Sequence, residues 1–173
     1  MLLHAKKKLS LRRLSLDALL LSLAMLFSYL EAILPVSLLP GVRLGLSHIP
    51  VMLLFLLGAP LDAALVSFLR ILCVTLPFGG VTSFLFALSG SALSFLTLPL
   101  FSRITGRVGL GILSAALHSM GQIFVALFIY GTTGLLFTYC PLLLLLSIPT
   151  GTASGILVFL LETKGGKVFE KLS

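Results

Sequence analysis

The sequence predicts an all-α integral membrane protein: a bundle of six transmembrane helices with both termini cytoplasmic. Composition is the first ground. The 173 residues are 58% hydrophobic and only 10% charged, where soluble domains carry about 25% charged residues, and the mean hydropathy is +1.21. The second ground is pattern: the apolar segments are long and do not alternate as barrel strands do. The third is where the cations fall, clustered between and beside those segments. One membrane domain is expected over residues 14–162, between a basic cytoplasmic leader (1–13) and a charged cytoplasmic tail (163–173).

Lys6, Lys7, Lys8, Arg12 and Arg13 precede the first apolar segment. A net charge of +7 could suggest nucleic acid, but cations massed beside a span read as a topology anchor on anionic lipid. The leader and the apolar run after it resemble a signal peptide. The run is too long for one and lacks a convincing small-residue cleavage site, so it is read as a helix. Ser15 is the expected N-cap, with Asp17 in the first turn, and the helix runs to about Ile33 before Pro35. It has two stripes: Asp17, Ala24, Ser28 and Glu31 on one face, and Ala18, Ser22, Met25, Tyr29 and Ala32 on another. Their small-xxx-small spacings permit close helix approach.

Pro35 to Ser47 is expected as a loop. Residues 48–57 follow as a short apolar run, a tilted or broken helix ended by Gly58-Ala59-Pro60. The third segment spans Leu61 to about Leu76, with Asp62 near its start and Arg70 inside it, before a turn at Pro77-Phe78-Gly79-Gly80. Thr82–Phe101, rich in Ser, Gly and Ala, is the fourth. A basic loop, Ser102–Arg107, leads to the fifth, Val108 to about Tyr130. An uncharged loop, Gly131–Cys140, precedes the sixth, Pro141 to about Leu161. Gly151-xxx-Gly155 on the sixth is read as internal packing. Cys73 and Cys140 have neither metal spacing nor a disulfide framework and read as packing residues.

With the N-terminus inside, Lys6, Lys7, Lys8, Arg12, Arg13, Arg103, Arg107, Lys164, Lys167 and Lys171 are cytoplasmic. That is ten of the twelve cations, as the positive-inside rule requires. Arg43 and Arg70 fall on the outer half and need another explanation. A charge at the centre of a span costs roughly 2.5–3.5 kcal/mol on insertion scales, so such residues face a bundle interior or a cavity.

The candidate ligand-binding residues are therefore the polar ones of the outer half and the fifth helix: Glu31, Gly41, Arg43, Gly45, His48, Arg70, His118 and Gln122. Pro40-Gly41-Val42-Arg43-Leu44-Gly45-Leu46-Ser47-His48 interrupts the apolar sequence with two glycines, a cation, a hydroxyl and an imidazole. It reads either as a turn re-entering the membrane with a snorkelling Arg43 or as the wall of a binding cavity. Ser114, His118, Gly121 and Gln122 share one narrow helix face, which either pairs with a neighbouring helix or reads a ligand. Glu31 with Arg70 is open to a plainer reading, a buried ion pair between the first and third segments.

Several chemistries lack their residues. No Gly-rich loop ends in Gly-Lys-Ser/Thr, so the chain has no ATPase of its own. With Asp17 and Asp62 the only aspartates, no aspartate-rich magnesium–diphosphate site can be built. No metal or other cofactor is expected, and no enzyme.

Ser-Tyr-Leu-Glu (28–31), the 40–48 loop, Arg70 before the Gly-Gly turn, and His-Ser-Met-Gly-Gln (118–122) together resemble the Gx transporter family, also labelled heptaprenyl diphosphate synthase component I. The resemblance covers about residues 10–162. It implies likeness to the substrate-binding (S) components of energy-coupling factor transporters: six helices in the cell membrane, with a small ligand held near the outer surface under a loop. It also implies partners, a transmembrane coupling subunit with two ATPases, docked through small residues of the first helix, here Ala18 and Ser22. Ser22 stands where a second alanine is usual, and His48 where an asparagine is expected. A different class stays open beside it: a non-catalytic membrane subunit linked to prenyl diphosphate or menaquinone synthesis or to extracellular redox.

Overall fold

The computed structural model describes residues 11–33, 46–131 and 134–172. They form five helices, α1 (Leu11–Ile33), α2 (Ile49–Leu56), α3 (Pro60–Phe101), α4 (Arg107–Tyr130) and α5 (Gly134–Leu172), with a single 3-10 turn, Leu46–His48, leading into α2. There is no strand among the described residues. α3 consists of two arms that meet at Gly80, whose φ of 67° and ψ of −173° break the helical path. Only glycine enters that region without strain, so the turn expected at 77–80 is a kink between two helices. Counting the arms separately gives six helices.

Among the described residues five segments are long and apolar enough to cross a membrane: Leu11–Glu31, Pro60–Pro77, Gly79–Phe101, Arg107–Tyr130 and Phe137–Lys164. Of the six helices expected, five reach spanning length among the described residues, and the sixth, α2, is a short helix there. The eight residues of α2 rise only about 12 Å, well short of a hydrocarbon core of about 30 Å. Its residues Ile49 to Leu54 are all buried. A helix apolar on every side belongs inside a bundle, and α2 fills the core. It packs there with Leu20 of α1, Ala63, Val66 and Leu98 of α3, Leu110 of α4 and Val158 of α5.

The boundaries depart from expectation where local chemistry is ambiguous. Ser15 lies inside α1, and its hydroxyl donates to the Leu11 carbonyl at 2.8 Å; such back-bonding is the alternative to capping for a helical serine. α4 stops where Gly131 adopts φ 64° and its N–H bonds the Leu127 carbonyl at 2.9 Å, a left-handed C-terminal stop. α5 is already helical from Gly134, so Pro141 lies within it instead of opening it, and the helix runs on into the expected tail. Cys140 packs near Ile123 and Leu143, whereas Cys73 is exposed and is no packing residue.

α4 and α5 touch through glycine, as expected of the 151–155 pair. A β-carbon on Gly151 would lie 2.4 Å from Ile112 Cα, one on Gly155 2.5 Å from Val108 Cα, and one on Gly111 2.3 Å from the Gly151 carbonyl oxygen.

Candidate functional site

A buried polar cluster joins α1, the 46–48 turn, both arms of α3, and α4. Its centre is Arg70, 2% exposed. Nη1 donates to Ser28 Oγ at 3.1 Å and also to Ser47 Oγ, and Nη2 donates to Ser91 Oγ at 2.8 Å. Hydrogen bonds to a charged group contribute roughly 1.5–3 kcal/mol each. Three of them offset the cost of placing a guanidinium inside a span.

Glu31, at the far end of α1, holds the turn. Its carboxylate accepts from the Leu46 N–H and, at 3.4 Å, from the Ser47 hydroxyl. Ser47 therefore bridges the two charges, donating to Glu31 and accepting from Arg70. The pairing open from sequence is realised at least through this hydroxyl.

On the α4 side, His48 Nε2 meets Ser91 Oγ at 3.2 Å, and the His48 ring stands edge-on to His118 with centroids 4.9 Å apart. Gln122 Nε2 donates to His118 Nε2 at 2.9 Å. The narrow face read on the fifth segment points inward: Ser114, His118, Gly121 and Gln122 are all buried. Ser94 and Ser114 hydroxyls meet at 2.5 Å beside a void of about 10 Å3 that His48 also lines.

Two glycines allow α3 and α4 to come this close. A β-carbon on Gly90 would lie 2.8 Å from His118 Cε1, and one on Gly121 2.6 Å from the Ser89 carbonyl oxygen. Five of the eight sequence-derived candidates, Glu31, His48, Arg70, His118 and Gln122, thus share one cluster. Gly41, Arg43 and Gly45 lie outside the described residues.

Sequence reasoning missed Ser91 and Gly90, noted Ser47 only as the hydroxyl of the 40–48 stretch, and gave Ser28 no role in the site. Ser28 had a signal, its place on the Glu31 stripe. Ser91 and Gly90 had a weaker one, the Ser-Gly-Ser run 89–91 inside an apolar segment.

The first-helix stripes separate in part, Asp17 and Met25 both being half-buried. Ala24, Ser28 and Glu31 are buried, while Ala18 and Ser22 are exposed, with the Ser22 hydroxyl folded back onto the Ala18 carbonyl at 2.8 Å. Among the described residues no group of three or more His, Cys, Asp or Glu is placed to hold a metal ion.

Long apolar helices around a buried polar cluster define a multi-pass helical membrane protein. The family model described as heptaprenyl diphosphate synthase component I matches residues 20–161, and the chain belongs to that family. Comparisons with curated proteins and with solved structures gave no match. The family's description names a component, which fits a chain that works with partner subunits.

Proposed function

We propose that the protein is the membrane-embedded substrate-binding component of an uptake transporter of the energy-coupling-factor type, taking a small acidic or phosphorylated molecule. The observation that carries this reading is Arg70, a guanidinium buried among hydroxyls at the meeting point of four elements. His48, His118 and Gln122 stand in the same cluster as further hydrogen-bonding groups. Glu31, through the 46–48 turn, would position the preceding loop, with Gly41, Arg43 and Gly45, over the ligand.

In this reading both termini are cytoplasmic in the cell membrane, and the exposed Ala18–Ser22 face of α1 meets a transmembrane coupling subunit driven by two ATPases. The chain is a binding component, not a catalyst. Its five carboxylates in 173 residues are too few and too scattered for the magnesium–diphosphate chemistry that the family's description suggests.

The test is native mass spectrometry of wild type and Arg70→Ala, purified in mild detergent from the native host. The expected result is a small acidic molecule on the wild type, with coupling subunit and ATPases, and at least tenfold less of that molecule on a folded Arg70→Ala. Equal retention by the variant would overturn the site. A bound isoprenoid or quinone without ATPases would favour the accessory-subunit reading instead.

A further inference from the structure

The two arms of α3 face one another across a cleft of about 320 Å3. Its mouth is formed by Ala64 and Phe68 of the first arm and Ala92 and Leu96 of the second, all four exposed. Both arms are long and apolar enough to cross a membrane, so a mouth on their exposed face opens to lipid. The floor is buried and carries two hydroxyls, Ser67 and Ser91, beside Ile71. Ser91 is where the cleft meets the polar cluster. Its oxygen accepts from Arg70 Nη2 at 2.8 Å, so a wall residue of the cleft also touches the buried cation.

Size and depth narrow the occupant. An apolar cavity of about 150 Å3 takes a benzene ring, so 320 Å3 takes on the order of twelve carbons, one short chain. Bilayer hydrocarbon is as apolar as the cleft wall, and a chain alone gains little by leaving it. The serines and the guanidinium behind Ser91 are what set the cleft apart from lipid. Arg70 lies seven residues from the end of its span at Pro77, about 10 Å along the helix. An anion at that depth is costly unless a cation answers it. A phospholipid keeps its phosphate in the headgroup layer and would offer the cleft hydrocarbon only. A free single-chain acid can bring its head to Arg70.

We propose that the cleft receives the apolar chain of a single-chain acid of about ten carbons, whose anionic head accepts from Arg70 while the chain lies between the arms of α3. The proposal rests on the reading of Arg70 as an anion site, and it narrows the ligand from small acids in general to amphiphilic ones. The head takes the place of Ser91 on Nη2. Turned to another staggered rotamer, the Ser91 hydroxyl then donates to the same head.

The experiment uses the full chain in phospholipid nanodiscs and decyl phosphate bearing a diazirine on its terminal carbon, with the matching decanol as neutral control. Photolysis and peptide mass spectrometry should map the phosphate probe to the cleft walls, residues 64–71 and 88–96. The alcohol should label those residues at least tenfold less, which tests the charge without touching the fold. A tenfold excess of unlabelled decyl phosphate should suppress the labelling at least fivefold, and the same excess of decanol or inorganic phosphate less than twofold. Ala92→Trp, at the mouth, should lower it at least fivefold, and Ala64→Phe blocks the cleft independently from the other arm. Leu100→Trp, at an exposed position further along the second arm, should leave it unchanged.

Equal labelling by the alcohol, labelling spread evenly over the lipid-exposed residues of every span, or indifference to both blocking variants would overturn the proposal. Labelling that unlabelled decyl phosphate does not suppress would assign the cleft to bilayer lipid and overturn it as well. Native mass spectrometry of Ala92→Trp beside Arg70→Ala separates this proposal from the reading beneath it. If Ala92→Trp keeps the acidic molecule that the wild type carries and Arg70→Ala loses it, the cleft alone is defeated. If both variants keep it, the anion site itself is defeated.

Discussion

Replacing Gly121 by alanine tests whether the contact between α3 and α4 is what assembles the polar cluster. The new β-carbon would lie 2.6 Å from the Ser89 carbonyl oxygen and 2.8 Å from Gly90 Cα, where ordinary contact begins at 3.4 Å. Both neighbours are backbone, so no rotamer change relieves the overlap and the helices must part by several tenths of an ångström. Overpacking of this kind costs typically 1–3 kcal/mol, while alanine returns about 1 kcal/mol over glycine in a helix. With these backbone overlaps below 3.0 Å the upper part of that range applies, about 2–3 kcal/mol, so the expected net loss is about 1–2 kcal/mol, a factor of roughly 5–30 in the ratio of folded to unfolded protein.

Two companion variants calibrate it. Gly90→Ala overlaps the His118 ring at 2.8 and 2.9 Å and its carbonyl at 2.9 Å, so a smaller stability loss should come with displacement of His118 from His48. Gly109→Ala, also on α4, meets only the Thr105 side chain, at 3.4 and 3.9 Å, and should be neutral or stabilising by up to about 1 kcal/mol. Unfolding in mixed micelles of increasing dodecyl sulfate, followed by circular dichroism, should rank Gly109→Ala at or above wild type, then Gly90→Ala, then Gly121→Ala. A Gly121→Ala protein as stable as wild type would refute the reasoning.

Ser91→Ala removes the oxygen shared by Arg70 and His48. Stranding buried polar partners costs about 1–3 kcal/mol, so the same unfolding assay should show a loss of that size. Ser89→Ala, whose hydroxyl bonds only the Phe86 carbonyl of its own helix at 3.1 Å, should stay within about 0.5 kcal/mol. Glu162→Gln breaks the two-pronged pair with Arg107, at 2.7 and 2.8 Å, between α4 and α5. Those side chains are 30% and 29% exposed, so the expected cost is at most about 1 kcal/mol. It should shrink further in 1 M salt, where screening extends to about 3 Å.

The helical membrane fold was legible because composition and segment length decide it. Arg70, Glu31, His118 and Gln122 were legible because a polar side chain in an apolar helix must face inward. What sequence left open was depth. A run of eight apolar residues looks alike whether it crosses part of a bilayer or fills a core, and only the burial of Ile49 to Leu54 on all sides decides for α2. The serines were hidden for a related reason. A membrane helix can satisfy a hydroxyl on its own backbone, as Ser22 and Thr75 do, so a serine's presence says little until its partner is seen. Gly90 and Gly121 were illegible as a pair, because their close approach belongs to two helices together.

α1 links the two polar features. Asp17 and Glu31 lie fourteen residues apart on one helix, about 21 Å at 1.5 Å per residue. As the least covered span, α1 is tied by polar contacts at its two ends. Arg13 holds it to Asp62 at one end, and Ser28 and Glu31 hold it to Arg70 and the 46–48 turn at the other. Under the proposed function, an anion at Arg70 would compete with Ser28 and Ser47 for the same guanidinium protons, and a subunit docked on Ala18 and Ser22 would load the opposite end of the same helix. If ligand binding changes the affinity for the docked subunit, docking must change the affinity for ligand by the same factor. Measuring ligand retention with and without the proposed coupling subunit, and subunit affinity with and without ligand, therefore reads the coupling from either side, and unequal factors would mean that the two sites do not act through one equilibrium.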